Sequence, residues 1–115
     1  MSVEEVLNHH LAGFSSGDVD MVMEDYTEES VLIMPDGTYK GLDSIRAVFA
    51  GLFSGLFKLG TYEFTMDRTD ITGDIAYIVW HSTNAGVDVK LGTDTFLVTD
   101  GKIAVQTFAA FLQDK

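Results

Sequence analysis

The chain has 115 residues, no cysteine and a net charge of −11, with 18 acidic residues against 7 basic ones. This length gives room for one domain, which we expect to span residues 1–115. Nucleic acid and anionic membranes both bind clustered positive charge, so the scattered lysines and arginines of this acidic chain argue against either as a partner.

The first part of the chain predicts two helices. Ser2 and Glu5 have the S-x-x-E spacing of a capping box, which starts the first helix. Apolar residues at intervals of three and four then form one helical face that also carries His10: Val3, Val6, Leu7, Leu11 and Phe14. Asp18 is a favourable N-cap for a short second helix, whose inner side holds Val22, Met23 and Tyr26.

A small hairpin and a third helix follow. The apolar run 31–34, the turn residues 35–37 and the segment 38–40 predict the hairpin. Asp43 or Ser44 is the expected cap of the third helix, whose apolar face holds Ile45, Val48, Phe49, Leu52, Phe53 and Leu56. Gly51 and Gly55 lower its helix propensity, and they indicate either close approach of another backbone or a loosened helix end.

The second half of the chain predicts strands only. Four segments, at about 61–72, 74–84, 88–99 and 102–112, are separated by short turns and form an antiparallel meander. Asp100-Gly101 is typical of a tight hairpin turn. Helices first and strands afterwards indicate an α+β fold, with the helices on one face of a curved sheet.

The strand faces predict an assembly. Neither face of the strand at 74–84 or of the strand at 102–112 is polar along its length, so neither is expected to face water. Three short helices cover only one side of the sheet. We therefore predict a homodimer through the outer sheet face, with Trp80 and Ile78 near the contact.

Several short motifs, in this order and spacing, resemble the nuclear transport factor 2-like superfamily. They are Ser16-Gly17-Asp18, Tyr26 followed by Glu28-Glu29-Ser30-Val31, Gly41, Gly73-Asp74-Ile75-Ala76, and Thr93-Asp94-Thr95-Phe96 ahead of Asp100-Gly101-Lys102-Ile103. The resemblance implies a cystatin-like cone, with three N-terminal helices packed on a curved antiparallel sheet. Ketosteroid isomerase and the SnoaL-like polyketide cyclases share this fold, as do binding proteins without catalysis, so no single activity is implied.

The resemblance also suggests site residues. The isomerase has a catalytic Asp at the end of the first strand, where this chain has Met34, and this argues against steroid isomerisation. Its oxyanion hole, a Tyr on the first helix and a protonated Asp on the penultimate strand, resembles His10 and Asp94. The cyclases use an Asp on that strand and a His on the strand before, which resemble Asp94 and His81.

These residues predict a pocket with acid/base chemistry. Burial in apolar surroundings raises the pKa of Asp94, and a carboxyl group that titrates near neutrality exchanges protons with a substrate. His81 and His10 are the expected assisting residues. The predicted pocket lining is Phe14, Tyr26, Met34, Phe49, Phe53, Tyr77, Phe96, Gln106 and Phe108.

Three interpretations stay open at this site. His81 is either an assisting residue or a structural residue at the rim of the pocket. His10 is either a catalytic group or a core histidine hydrogen-bonded in the interior. Asp94 lies in the pocket only if the strand parity holds, because a slip of one residue turns it to the opposite face.

The sequence thus favours a cofactor-independent isomerase or cyclase that acts on a small apolar carbonyl compound. The alternatives are a non-catalytic carrier of an apolar ligand and a dimerisation module with a filled core. No metal or phosphate-binding motif occurs, so neither a metal nor a cofactor is expected. The N-terminus lacks a signal-peptide pattern, no apolar run reaches the ~20 residues of a membrane span, and the absent cysteines suit the cytoplasm.

Overall fold

A computed structural model describes all 115 residues, from Met1 to Lys115. It contains the helices α1 (Val3–Ser15), α2 (Val19–Met23) and α3 (Leu42–Ser54), and the strands β1 (Val31–Met34), β2 (Gly37–Lys40), β3 (Tyr62–Thr72), β4 (Ile75–Asn84), β5 (Val87–Thr99) and β6 (Lys102–Asp114). This confirms the predicted α+β architecture. None of the three helices has the length and apolar character needed to cross a membrane.

The six strands form one sheet in the order β2-β1-β6-β5-β4-β3. Strands β3 to β6 make the predicted antiparallel meander, and β1 with β2 makes the predicted hairpin. β1 also pairs with β6 in parallel, a contact that joins the two halves of the chain. Asp100 and Gly101 have φ angles of 53° and 74°, which matches the hairpin turn predicted for them.

The caps of the first two helices are confirmed. In α1 the Ser2 N–H donates to Glu5 Oε1 at 2.9 Å and the Glu5 N–H donates to Ser2 Oγ at 3.1 Å, which completes the capping box. In α2 the Asp18 carboxylate accepts the Met21 N–H at 3.0 Å. Each bond satisfies a backbone donor that the first turn of a helix leaves unpaired.

The cap predicted for α3 is wrong. Neither Asp43 nor Ser44 caps the helix, because it begins at Leu42, two residues before the start that a cap at Asp43 would give, and its N-cap is Gly41 with φ 86°. Glu28 replaces the missing cap, since its Oε1 accepts the Leu42 N–H at 2.9 Å from another part of the chain. At the other end α3 stops at Ser54, with Gly55 as its C-cap, so the interpretation of a helix end holds there.

The helices cover one face of the sheet, which we call the inner face. On β4 the inner residues Ala76, Ile78, Trp80, Ser82 and Asn84 are all buried. The prediction that Trp80 and Ile78 lie at a dimer contact is therefore wrong. Both faces of β4 are mostly apolar, so packing against the helices decides the choice, and Ala76, Ile78 and Trp80 fill the space beneath them.

Two β-bulges bend the sheet at the same level. One lies in β3 between Met66 and Arg68, and the other lies in β5 between Val89 and Gly92; next to them Met66, Trp80 and Gly92 are cross-strand neighbours. A bulge bends its strand and increases the local twist. The bent sheet leaves a hollow between its inner face and the helices.

Candidate functional site

The hollow is a cavity of about 570 Å³. Of its 22 lining residues, 17 are hydrophobic. Both the volume and the apolar lining are typical of sites for small organic ligands. The lining residues Ser15, Leu59, Gly60 and Phe64 are exposed, so the cavity opens to solvent beside the end of α1 and the start of β3.

Aromatic rings form most of the wall. Phe64, Trp80 and Phe108, from three different strands, lie nearly parallel across the inner face, with interplanar angles of 30° and 23° between neighbours. The other aromatic lining residues are His10, Phe14, Phe49, Phe57, Tyr62 and Phe96. A wall of this kind favours a flat apolar ligand, because rings pack best in offset-stacked or edge-to-face arrangements.

Asp94 is the only acidic residue that lines the cavity, and it is 7% exposed. Trp80 Nε1 donates to its Oδ1 at 2.8 Å, and Gln106 Nε2 donates to its Oδ2 at 2.8 Å. Burial raises the pKa of Asp94 to about 6, and the two donated hydrogen bonds oppose part of that rise. The carboxyl group thus titrates close to neutral pH.

Gly92 explains the position of Trp80. The indole lies across β5 directly over this glycine, where a Cβ atom would come within 2.3 Å of Trp80 Cε2. Any larger residue at 92 displaces the ring, and with it the N–H that Asp94 accepts. A glycine inside a strand often marks such a close approach.

His10 reaches the cavity from α1 and is 4% exposed. Its Nδ1 lies 3.5 Å from the hydroxyl of Tyr26, and the ring of Phe96 is 5.1 Å away between centroids. Burial lowers the pKa of His10 to about 4, so the imidazole is neutral at physiological pH. His10 is thus a buried, hydrogen-bonded histidine that also faces the cavity.

Tyr26 lies behind the wall and supports it. Its hydroxyl donates to Oε1 of Gln106, the residue whose amide N–H in turn donates to Asp94. Burial raises the pKa of Tyr26 well above its ordinary value, so the hydroxyl keeps its proton. Asp94, Gln106, Tyr26 and His10 form one connected group, which we call the polar end of the cavity.

Most of the predicted lining residues meet at this site. Phe53 is an exception, because it packs on Phe14 at 5.1 Å between ring centroids without lining the cavity. Tyr26 is adjacent to the wall and does not line it. The predicted residues that line the cavity are His10, Phe14, Met34, Phe49, Asp94, Phe96, Gln106 and Phe108.

The placement predicted for His81 and Tyr77 is wrong. Both lie on the outer face of β4, opposite the cavity; His81 Nδ1 is 2.7 Å from Asp67 Oδ2, and Arg68 lies over the Tyr77 ring. Alternate residues of a strand face opposite ways, so turning Trp80 inward turns His81 outward. His81 cannot touch a ligand held beside Asp94.

Several lining residues are not predictable from the sequence. Trp80 is the main one, because the predicted strand parity places it on the outer face and the structure places it on the inner face. Phe57, Tyr62, Phe64 and Met66 also line the cavity, and no local pattern sets them apart from ordinary core residues. No group of three or more His, Asp or Glu side chains has an arrangement that could hold a metal ion.

Comparison of the sequence and the fold with known proteins identifies a family and several solved structures of the same fold. The family model described as SnoaL-like domain matches residues 7–106. No curated protein sequence matches the chain. Low sequence identity to the solved structures below, under 20% in each case, means that they show the fold alone.

Three solved structures illustrate the likeness. A candidate polyketide cyclase from Sinorhizobium meliloti is 19% identical, with 90% of this chain and 93% of that chain covered at a TM-score of 0.78. A candidate ketosteroid isomerase from Kribbella flavida is 12% identical, with 95% and 77% covered and a TM-score of 0.77. A cystatin fold protein from Novosphingobium aromaticivorans is 15% identical, with 94% and 97% covered and a TM-score of 0.76.

Proposed function

The chain belongs to the SnoaL-like domain family, and from this premise we propose that it binds a small, flat, apolar carbonyl compound and moves a proton on it. Asp94 is the acid/base group in this proposal. Residues 1–115 act as one domain, and the chemistry needs no cofactor because the proton is transferred between the carboxyl group and carbon.

The state of Asp94 carries the proposal. A general base works best when its pKa lies near the working pH, and burial brings the pKa of Asp94 to about 6 without any neighbouring cation. Trp80 and Gln106 hold both carboxylate oxygens in place, so little reorganisation is needed when the proton moves. Burial of this charge costs stability, and a role in function offsets that cost.

The chemistry follows from the presence of one acid. Asp94 removes a proton from the carbon next to the substrate carbonyl, which leaves an enolate and a neutral carboxylic acid. No second carboxylate lines the cavity, because Met34 stands at the end of β1. Asp94 must therefore also return a proton, either to another carbon of the substrate or, when the enolate carbon attacks a second carbonyl group and closes a ring, to the alkoxide oxygen that this attack creates.

Proton exchange on a model ketone tests this proposal. We expect the protein to accelerate deuterium exchange next to the carbonyl of 2-tetralone in D₂O, followed by NMR. Asp94→Asn should lower that rate by about 10²–10⁴-fold, the usual contribution of a general base. Asp67→Asn is the matched control, since it alters an Asp on the outer face and should leave the rate unchanged.

The alternative function is a carrier that binds the same class of ligand without chemistry. The lining by 17 hydrophobic residues supports either function. If 2-tetralone binds and the exchange rate stays at the buffer value, the carrier is the right interpretation. The cavity itself disfavours the third interpretation, a dimerisation module with a filled core.

We also propose that the outer sheet face forms a homodimer. Large apolar residues are exposed there, with Leu91 at 50%, Phe111 at 58% and Ile33 at 42%. The cross-strand register puts no charged residue at the central outer positions, which removes the repulsion expected between two chains of charge −11. These positions are Tyr77, Val79, His81, Leu91, Thr93, Thr95, Leu97, Val105, Thr107, Ala109 and Phe111.

Light scattering behind a sizing column measures this assembly directly. We expect the mass of a dimer at micromolar concentration, and the mass of a monomer for Phe111→Asp. Ala50→Asp adds the same charge at an exposed position of α3 and should leave the dimer intact. A wild-type mass equal to one chain contradicts the proposal.

A further inference from the structure

The hydrogen bonds of the polar end have a fixed direction. An ionised carboxylate only accepts hydrogen bonds, so Gln106 must point its amide N–H at Asp94, as it does at 2.8 Å. The amide oxygen of Gln106 then faces Tyr26. An oxygen of this kind only accepts, so the single hydroxyl proton of Tyr26 is committed to it.

Because the Tyr26 proton is used in the bond to Gln106, the Tyr26 hydroxyl determines which ring nitrogen of His10 carries the hydrogen. With its proton used, the Tyr26 oxygen can only accept from its other neighbour, His10 Nδ1, 3.5 Å away. Nδ1 must therefore carry a hydrogen. A neutral imidazole has only one N–H, so Nε2 of His10 is a bare acceptor, and no protein group donates to it.

We call the hydrogen bonds that run from Asp94 through Gln106 and Tyr26 to His10 the relay. We propose that the relay holds His10 as its Nδ1–H tautomer, and that the polar end therefore selects ligands that donate a hydrogen bond through a hydroxyl group. The inference rests on the proposed function, because it takes the cavity as the ligand site. It narrows the ligand from any flat apolar carbonyl compound to one with a phenolic, enolic or alcoholic hydroxyl group. Such a hydroxyl donates its one hydrogen to either of two acceptors that line the cavity, the Asp94 carboxylate or His10 Nε2.

Few other groups near Asp94 can donate to a ligand. The Trp80 N–H and one N–H of Gln106 are already bonded to the carboxylate, so the second N–H of the Gln106 amide is the one donor left beside it. Two more hydroxyl groups belong to lining residues. Ser15 Oγ already donates to the Ala12 carbonyl, and Tyr62 pairs with Asn84, six residues along β4 from the Ile78 that pairs with Asp94, which puts its backbone about 20 Å away at the rise of a strand. An aprotic ligand would leave His10 Nε2 without a partner and would add no hydrogen bond to the two that Asp94 accepts from Trp80 and Gln106.

A neutral group at position 94 reverses the relay. An Asn at this position accepts the Trp80 N–H through its oxygen and turns its own N–H groups towards Gln106. Gln106 must then present its oxygen to that amide and its N–H to Tyr26. The Tyr26 proton is released for His10 Nδ1, and the hydrogen of His10 moves to Nε2.

Histidine ¹⁵N NMR tests the relay without any ligand. The chain has three histidines, and their two nitrogens have separate shifts that identify the tautomer. We expect His10 in the Nδ1–H form in the wild type at about pH 7.5, where Asp94 is ionised, and in the Nε2–H form in Asp94→Asn. Tyr26→Phe removes the acceptor and should lower the Nδ1–H fraction, whereas Tyr39→Phe, at a surface tyrosine, should not.

Calorimetry with matched probes tests the ligand class. We expect 2-naphthol to bind the wild type at least about tenfold more tightly than 2-methoxynaphthalene, since a hydrogen bond to a charged acceptor is worth that factor or more. In Asp94→Asn the ratio should fall below about threefold, because the charged acceptor is lost and His10 becomes a donor.

The outcomes separate the two proposals. An Nε2–H or charged His10 in the wild type overturns the relay, whatever binds. Equal binding of the two probes overturns the ligand class. If neither probe binds, the cavity is not a site for flat apolar ligands, so the proposed function fails together with the ligand class, while the tautomer still reports on the relay.

Discussion

Replacement of His10 by phenylalanine should change how the stability of the protein depends on pH. Burial lowers the pKa of His10 from 6.5 to about 4, so the unfolded chain binds the proton more tightly than the folded one. His10 therefore removes stability as the pH falls below 6.5, and the loss continues down to about pH 4. His10→Phe abolishes that loss and keeps a ring among the surrounding aromatic side chains.

The magnitude follows from the two pKa values of His10. Between about pH 7.5 and about pH 5, proton binding to the unfolded chain costs the wild type about 2 kcal/mol at this residue. Asp94 has the opposite effect: burial raises its pKa from 3.8 to about 6, so the folded chain gains about 1.4 kcal/mol over the same interval. The pH-dependent stability contributions of His10 and Asp94 nearly cancel in the wild type. Replacement of one residue therefore leaves the contribution of the other visible.

Urea unfolding at several pH values measures the effect. Protein concentration must be held constant, because a dimer adds a concentration-dependent term. We expect the stability of His10→Phe relative to the wild type to rise by about 2 kcal/mol from about pH 7.5 to about pH 5. A difference that stays constant over this interval refutes the reasoning, since it means that His10 titrates normally or not at all.

His9 is the control of opposite sign. Its Nδ1 is 2.8 Å from the buried carboxylate of Asp25, and this hydrogen bond raises the pKa of His9. The stabilisation from His9 is therefore present at low pH and is lost as the pH rises through its folded pKa. His9→Phe should thus lose stability relative to the wild type as the pH falls, opposite to its neighbour.

Three further predictions concern single contacts. Gly92→Ala should shift the fluorescence of Trp80, the only tryptophan, and lower the unfolding free energy by about 1–3 kcal/mol through overpacking, since the new Cβ would lie 2.3 Å from the indole. The control Gly51→Ala, with no atom within 4 Å, should cause neither change, and an unaltered spectrum in Gly92→Ala contradicts the packing. Gln106→Leu should cost about 1–3 kcal/mol of unfolding free energy, because it removes the acceptor of the Tyr26 hydroxyl and leaves one oxygen of Asp94 without a partner. Equal midpoints in thermal melts would count against these bonds. The preference for 2-naphthol over its methyl ether should weaken as the pH falls below about 6, because protonated Asp94 then donates a hydrogen bond. A ratio of the two affinities that does not change with pH in calorimetry contradicts this prediction.

Local patterns account for the parts of the fold that could be predicted. The spacing of Ser2 and Glu5, the helical repeat of apolar residues and the Asp100-Gly101 pair each involve residues a few positions apart. Their physical effects act within that distance, so they hold in any tertiary context. The cap of α3 shows the limit, because Glu28 reaches Leu42 from 14 residues away, and no local pattern contains that contact.

The residues of the candidate site also fall into a group that the sequence indicated and a group that it did not. An acid within a strand and a histidine on an apolar helix face were enough to single out Asp94 and His10. The hydrogen-bond partners of Asp94 lie on the two neighbouring strands and are separated from it along the chain: Trp80 lies 14 residues and Gln106 lies 12 residues away. Gly92 offered the one usable signal, since a glycine inside a strand indicates that something packs closely on it.

The sequence by itself determined the helices, the strands, the α+β class and the presence of a buried acid. Only the tertiary structure decided which face of β4 lies under the helices, and with it the exchange of His81 for Trp80 beside Asp94. The reason is that both faces of β4 are mostly apolar, so the strand's own residues do not discriminate between two orientations that differ by one position. The choice comes from packing, because the indole fits over Gly92 and donates its N–H to a carboxylate that belongs to another strand.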